Sequence, residues 1–269
     1  MLQFRFAAQS DTGLVRDSNE DSAYAGPYLL AVADGVGGQA AGEVASATTT
    51  YVVSANALAH QGSHPLRLLQ LAIDDARSQV RAGVAADPAR LGMATTLTAI
   101  LTDGERFGLA HVGDSRAYLL RDGGLVPLTV DHTLVQALLD TGRITPEEAV
   151  ASQMGHIVLQ AIDAESVPTP DLLWLDLREG DRLLLCSDGL TDLVPDVEIL
   201  DLLGAGSRSE AAAALVAAAL TAGGKDNVTC VVADVVDDEP IDATGVLFGA
   251  ARDLRNVVDP AHVRVVRSA

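Results

Sequence analysis

The amino-acid sequence predicts an α+β protein in which antiparallel β-sheets are covered by helices. Strand-like runs and helical stretches do not alternate strictly along the chain, as they would around a parallel sheet. The tetrapeptides TDGE and RDGG separate consecutive strand-like runs and are typical of hairpin turns. The chain has 269 residues, of which 48% are hydrophobic, so it is long enough to bury a full core.

The strands are predicted from short apolar runs, and the helices from apolar residues that recur every three or four positions. The predicted strands are residues 2–8, 28–33, 95–101, 107–112, 117–120, 182–186 and 228–236. The predicted helices are residues 41–59, 65–84, 133–141, 146–152, 197–203 and 209–222. Thr145 and Pro146 at the start of the fourth helix are a typical N-cap and first helical residue.

The pattern of strands and helices weakens after Asp237. We therefore expect one main domain over residues 1–238 and a C-terminal tail over residues 239–269 that forms no separate domain. Within this tail, the stretch VLFGAARDLRNVV, residues 246–258, predicts a short amphipathic helix.

The net charge of −19 argues against nucleic acid and anionic membranes as partners, because clustered Lys and Arg bind those surfaces. The sequence shows no signal peptide and no stretch long enough to span a bilayer, so we expect a cytoplasmic protein. Cys186 and Cys230 each lie inside an apolar run, and two cysteines are too few for a disulfide framework. We expect both to be buried, reduced thiols.

Four predicted strands carry an aspartate at one end. Apolar runs stop at Asp34, Asp114 and Asp188, and Asp226 stands just before the last strand. One such residue is usually a turn former, but four would crowd negative charge at the edge of a sheet. A hard divalent cation, Mg²⁺ or Mn²⁺, would neutralise that charge, and two ions suit this number of carboxylates. Gly35 lets the backbone come close enough for its carbonyl to bind as well.

The segment SDTGLVRDSNED, residues 10–21, adds an arginine. Arg16 precedes Glu20 and Asp21 by four and five residues. Its planar guanidinium suits a phosphate group, which it can bind through two parallel hydrogen bonds. The alternative is an ordinary surface ion pair between Arg16 and Glu20.

Two other motifs are disfavoured by their surroundings. Residues 35–40 match the G-x-G-x-x-A form of the dinucleotide-binding fingerprint, but Asp34 precedes them and no acidic residue follows at the required distance. The segment GDSRA around Ser115 imitates the nucleophile elbow of serine hydrolases. A further strand follows it, however, where the elbow requires a helix.

Six segments taken together resemble, in order, the motifs of the metal-dependent serine/threonine protein phosphatases, the PPM or type-2C family, and above all its bacterial branch. They are GLVRDSNEDS, LLAVADGVGGQAAGEVAS, GMATTLTAIL, LAHVGDSRAYLLRDG, LLLCSDGLTDLV and GGKDNVTCVVADV. The resemblance runs from about residue 8 to residue 236, and the motifs are highly specific as a set.

This resemblance implies a central sandwich of two antiparallel β-sheets flanked by helix layers (α-β-β-α), with a catalytic domain over residues 1–238. Two Mn²⁺ or Mg²⁺ ions at one end would activate a water, which attacks the phosphorus of a serine or threonine phosphomonoester directly. The implied partners are phosphorylated proteins, with Ser/Thr kinases as candidates, and the implied state is a monomer.

The residues at the family's motif positions take implied roles. Asp34 would bridge both ions, Gly35 would offer its carbonyl, and Arg16 would bind the substrate phosphate. The remaining metal positions are Asp188 and Asp226 on the first ion, Glu20 and Asp21 on the second, directly or through its waters, and Asp114 on a third.

The chain departs from the family where relatives carry histidine and in the flap. Val36 and Gln39 occupy the histidine positions, and residues 152–164, SQMGHIVLQAIDA, differ from the usual flap. Of the six histidines, His132 and His156 are the candidates to reach the site, and we expect that neither supplies the leaving-group proton. Because the core ligands are retained, catalysis is favoured over the alternative, a metal-binding interaction module.

Overall fold

The computed structural model describes residues 1–36, 41–150, 152, 154, 157–239 and 244–262. Within these ranges the strands are β1 (Leu2–Asp11), β2 (Ser22–Ala25), β3 (Leu29–Ala33), β4 (Gly35–Val36), β5 (Ala94–Thr95), β6 (Leu97–Thr102), β7 (Phe107–Val112), β8 (Arg116–Arg121), β9 (Gly124–Pro127), β10 (Ile162–Asp163), β11 (Asp171–Leu175), β12 (Arg182–Cys186), β13 (Val228–Asp237) and β14 (Val246–Gly249). The helices are α1 (Gly42–Ala59), α2 (Pro65–Ala86), α3 (Leu134–Asp140), α4 (Pro146–Val150), α5 (Asp188–Thr191), α6 (Asp196–Gly204) and α7 (Arg208–Thr221).

The strands form two large antiparallel sheets and one small one. The five-stranded sheet has the order β1-β13-β12-β8-β9, and the six-stranded sheet has the order β11-β7-β6-β3-β2-β14. The third sheet, β10-β5-β4, contains the short strand that begins directly after Asp34. The sandwich of two antiparallel sheets implied by the family resemblance is confirmed.

The alternation of side chains along each strand separates the core into layers. In β3, Leu30 belongs to the apolar cluster between the two sheets, whereas Leu29 belongs to the cluster formed with α1 and α2. In β12, Leu185 enters the layer between the sheets and Leu184 packs with α6 and α7. Successive residues of a strand point to opposite faces, so both sheets are covered on both sides. The result is the predicted order of helix, sheet, sheet and helix.

The predicted hairpins are also confirmed. The TDGE segment joins β6 to β7, and the RDGG segment joins β8 to β9. Asp122 and Gly123 at the second turn have φ angles of 53° and 77°, as a two-residue hairpin turn of the primed type requires.

The C-terminal segment differs from the prediction. Residues 246–249 form β14, an edge strand paired with β2, and 3₁₀ turns follow at Ala250–Arg252 and Leu254–Asn256. Gly249, at φ 61°, ends the strand where a side chain would overlap the carbonyl of Asp21. The predicted amphipathic helix is therefore wrong, because strand pairing with β2 overrides the helical pattern. The six-stranded sheet continues past residue 238, where the main domain was expected to end.

The remaining expectations concern membrane segments and cysteines. None of the described helices combines the length and the apolar character needed to cross a membrane. Cys186 and Cys230 are buried, unpaired thiols on directly opposite positions of β12 and β13, as predicted.

Candidate metal centre

The four strand-end aspartates meet at one end of the sandwich. β3 and β12 run toward this end and β13 starts from it, so residues far apart in sequence become neighbours. They line a cavity of about 270 Å³. Its described lining residues are Arg16, Glu20, Asp34, Gly35, Val36, Asp114, Val158, Asp188, Asp226 and Asn227.

The backbone of Asp34 is held on both sides by two threonines. Its N–H donates to Thr96 Oγ1 at 2.9 Å, and its carbonyl accepts from Thr95 Oγ1 at 2.8 Å. The predicted strand 95–101 is divided at Thr96, because Thr96 turns its hydroxyl and its N–H toward Asp34. This break in the strand fixes the position from which the Asp34 carboxylate enters the cavity.

Negative charge is crowded around Asp34. Burial raises the pKa of its carboxyl well above the usual range, and three neighbouring aspartates raise it further. Burial and the charge of Asp192 raise the pKa of Asp188 to about 6, and burial and Asp188 raise that of Asp114 to about 7. Carboxyl groups that retain protons near neutral pH are stabilised when a divalent cation replaces those protons. The donor set therefore fits hard cations such as Mg²⁺ and Mn²⁺.

Gly35 occupies a position that only glycine can fill. A Cβ there would overlap the carbonyl oxygen of Gly42 and lie 2.6 Å from that of Glu20. The Gly35 N–H donates to the same Glu20 carbonyl at 3.2 Å. The close packing keeps the backbone of β4 against the cavity, as the predicted role of the Gly35 carbonyl requires.

Arg16 is paired with a predicted metal ligand. Its Nη2 donates to Asp226 Oδ2 at 2.6 Å, so the expected alternative partner, Glu20, is not the one the structure shows. The arginine side chain is 52% exposed and lines the cavity. A half-exposed guanidinium beside the carboxylates can exchange Asp226 for a phosphate group.

Asn227 is a functional residue that the sequence reasoning missed. Its side chain donates to the carbonyls of Thr12 and Ser18, each at 2.8 Å, and accepts the N–H of Glu20 at 2.7 Å. These three bonds fix the loop that carries Arg16 against the start of β13. The only signal in the sequence was its place directly after Asp226.

Glu20 and Asp21 are placed at different depths. Glu20 lines the cavity, and burial raises the pKa of its carboxyl. Asp21 is fully buried beneath the cavity, where Ser187 Oγ donates to its Oδ2 at 2.6 Å and its Oδ1 has no hydrogen-bond partner. Burial raises the pKa of Asp21 to about 7. Asp21 is not among the residues that line the cavity, and its charge acts on the site by raising the pKa of Asp34.

The carboxylates line one cavity, but their side chains are not arranged as the ligands of a single ion. Among the described residues, no three His, Cys, Asp or Glu side chains are grouped closely enough to hold an ion. Asp226 is engaged by Arg16, and Asp21 by Ser187. Arg16 therefore occupies one oxygen of a predicted metal ligand.

Two positions of the sequence analysis, Gln39 and His156, lie outside the described residues. His132 is described, and both of its ring nitrogens are engaged, by the Gly113 N–H and by Asp171 Oδ2.

A larger cavity, of about 730 Å³, opens at the opposite end of the five-stranded sheet. Its arginines are already neutralised, because Arg121 pairs with Asp181, and Arg182 pairs with Asp234. The crowded carboxylates mark the smaller cavity as the reactive one.

The sandwich and its acidic cavity define a class of metal-dependent phosphatase, and comparisons with known proteins identify the family. The sequence pattern of the family described as Protein phosphatase 2C matches residues 14–222. The chain belongs to this family, the PPM phosphatases.

Individual relatives agree with this assignment. Serine/threonine protein phosphatase PstP of Mycobacterium tuberculosis is 50% identical over 254 residues, which are 93% of this chain and 48% of that protein. The chain thus spans about half the length of this relative. The crystal structure of the Mycobacterium tuberculosis phosphatase PstP/Ppp superimposes with a TM-score of 0.82 at 50% identity, covering 87% of this chain and all of that one. The PstP catalytic domain in complex with two manganese ions gives 0.80 at 51% identity, covering 88% of this chain and 100% of that one.

The raised carboxyl pKa values predict how stability depends on pH when no metal is bound. Asp21 and Asp114 titrate near pH 7 in the folded protein, whereas aspartates in an unfolded chain titrate near pH 4. The folded state binds more protons in this window, so its free energy of unfolding falls as the pH rises. Buried His111, with a pKa lowered to about 4, acts in the opposite direction but is a single group.

We therefore expect chelator-treated protein to lose on the order of 2–3 kcal/mol of unfolding free energy between about pH 5 and about pH 7.5. Urea titrations monitored by circular dichroism measure this change. Saturating Mn²⁺ should restore stability mainly at the higher pH, and Asp114→Asn should flatten the pH dependence. Stability that rises with pH across this window would contradict the charge crowding.

Proposed function

We propose that this chain is a serine/threonine phosphoprotein phosphatase that hydrolyses phosphomonoesters. One observation carries the proposal: a single cavity combines crowded strand-end carboxylates with a half-exposed arginine. The carboxylates suit divalent cations, and the arginine suits a phosphate group. The relatives bear the name serine/threonine phosphatase, which supports the same activity for this chain.

The residues divide into metal positions and a phosphate position. Bound Mn²⁺ or Mg²⁺ ions would supply an activated water and positive charge beside the phosphoryl oxygens. Asp34 lines the cavity with Asp188 and Asp114 as neighbours, which suits it to a shared position, with the Gly35 carbonyl next to it. The other proposed metal positions are Asp188 and Asp226 on the first ion, Glu20 on the second and Asp114 on a third, with Asp21 acting on the second ion through its waters from beneath the cavity.

Arg16 has a separate task. The guanidinium now bonds Asp226, and its remaining N–H groups would bind the phosphoryl oxygens of a substrate in the cavity. A cation held by Asp226 would compete with Arg16 for that carboxylate and would leave the guanidinium free for the phosphate. Asn227 keeps the Arg16 loop in place while the partners change.

We propose phosphorylated proteins as substrates, with Ser/Thr kinases as the enzymes that supply them in a signalling pathway. The acidic net charge and the free thiols of Cys186 and Cys230 suit a monomeric domain working in the reducing cytoplasm. Residues 244–262 belong to the proposed catalytic unit, because β14 completes the six-stranded sheet.

We expect the purified protein to hydrolyse an aryl phosphate and a phosphothreonine peptide with Mn²⁺, and to stop when the metal is chelated. Asp34→Asn and Asp188→Asn should each abolish turnover while leaving the circular dichroism spectrum intact. Asp122→Asn, in the exposed β8–β9 turn, is the matched control and should retain full activity. Mn²⁺ binding without hydrolysis would favour the alternative, an interaction module, and full activity after exhaustive chelation would refute both.

Arg16→Ala should weaken phosphate binding by about 1.5–3 kcal/mol, because one charge-assisted, bidentate contact is lost. Steady-state kinetics with the phosphothreonine peptide should show this largely as a raised KM. Affinity for Mn²⁺, measured by titration calorimetry, should not fall, because Arg16 no longer competes for Asp226. Arg178→Ala, a remote and 62% exposed arginine, is the control. An unchanged KM in Arg16→Ala would mean that Arg16 forms only an ordinary ion pair and does not bind the phosphate.

A further inference from the structure

His132 forms two hydrogen bonds to the backbone of Gly113, the residue that precedes Asp114, and this pair of bonds is called the clamp. Its backbone N–H donates to the Gly113 carbonyl at 2.8 Å, and its ring Nδ1 accepts the Gly113 N–H at 3.2 Å. The ring is nearly buried, with 12% of the side chain exposed, and lies 4.8 Å from the ring of His111. Both the N–H and the carbonyl of Gly113 are therefore hydrogen-bonded to His132.

The hydrogen bonds define which ring nitrogen carries the proton. Nδ1 accepts from a backbone N–H, so it is unprotonated, and Nε2 carries the hydrogen. Nε2 lies 3.2 Å from Asp171 Oδ2 and donates to it. Asp171, at the start of β11, thus holds the ring in the orientation that Gly113 needs. Hydrogen-bonded groups outside the ligand shell commonly orient the groups that bind a metal, and their loss lowers metal affinity.

Gly113 needs such a clamp because of its conformation. Its φ is 105°, in the region that favours glycine, and an added Cβ would lie 2.5 Å from the Thr96 side chain. Thr96 is the residue that holds the backbone of Asp34. The turn at Gly113 therefore packs against Thr96, the support of Asp34, and a shift of Gly113 would move the adjacent Asp114.

His132 also reaches the opposite wall of the cavity. Its carbonyl accepts the N–H of Leu159 at 2.7 Å, and the adjacent Thr133 pairs with Val158. Val158 lines the acidic cavity. One residue thus joins the turn that carries Asp114 to the segment that carries Val158.

We propose that the His132 imidazole is a positioning residue for the metal site at Asp114, acting through the Gly113 N–H. This inference rests on the metal site of the proposed function. His132 is not among the residues that line the cavity. Its expected effect is therefore on Mn²⁺ binding at the Asp114 site, and not on proton transfer to the substrate. His132→Ala keeps the backbone hydrogen bond to the Gly113 carbonyl and removes only the ring. The substitution is therefore a specific test of the imidazole.

The experiment is a Mn²⁺ titration of the chelator-stripped protein by isothermal calorimetry. The dissociation constant of the Asp114 site, identified as the one lost in Asp114→Asn, should rise roughly 10–100-fold in His132→Ala. His132→Asn should restore most of the affinity, because Asn Oδ1 can accept the Gly113 N–H from the position of Nδ1. Asp171→Asn keeps an acceptor for Nε2 and should stay near the parent value. His60→Ala, an exposed histidine, is the matched control.

A double-mutant cycle separates positioning from general stability. If His132 acts through Asp114, His132→Ala in the Asp114→Asn background should leave the affinity of the remaining sites unchanged. Equal Mn²⁺ affinity in His132→Ala and the parent would overturn the inference while the proposed function stands. Equal losses of Mn²⁺ affinity in His132→Ala and His132→Asn would overturn the inference too. A parent protein that binds no Mn²⁺ would refute the proposed function, and this inference with it.

Discussion

Electrostatic repulsion among buried carboxylates is the constraint on which the rest of this structure depends. Asp34, Asp114 and Asp188 lie at one end of a β-sandwich, where burial and mutual repulsion raise their pKa values. Such an arrangement costs folding free energy unless protons or cations neutralise it. An apolar core in three layers supplies the stability that keeps these groups together. The charge that weakens the metal-free fold is also what gives the site its affinity for divalent cations.

The backbone around the site is fixed more firmly than the carboxylates themselves. Thr96 holds Asp34, Asn227 holds the Arg16 loop, and His132 holds the turn before Asp114. Each of these bonds joins segments that are distant in sequence. The ion pair between Arg16 and Asp226, by contrast, joins two side chains that are 52% and 38% exposed. Under the proposed function, such rigid backbone supports would hold the site in place while ions and a substrate phosphate bind.

Sequence reasoning succeeded where a local pattern determines the structure. Short apolar runs located β3, β7 and β12, and a strand end followed by Asp located the cavity. It missed β2 and β11, whose short segments SAYA and DLLWL give little periodicity without their neighbours. It misread residues 246–258 as a helix, because pairing with β2 is a tertiary effect. It also missed Asn227 and the clamp at Gly113, since hydrogen bonds across the fold leave no signature in sequence spacing.

The central claim is that the crowded carboxylates form a divalent-cation site. A crystal soaked in Mn²⁺ and measured by anomalous scattering tests it most directly. At least two anomalous peaks are predicted in the acidic cavity, with Asp34 between them and Asp188 and Asp226 beside the first, and a third would lie at Asp114. Asp226 should have left Arg16 in that structure. Absence of peaks in this cavity, or peaks confined to the arginine-lined cavity at the other end of the sheet, would contradict the account.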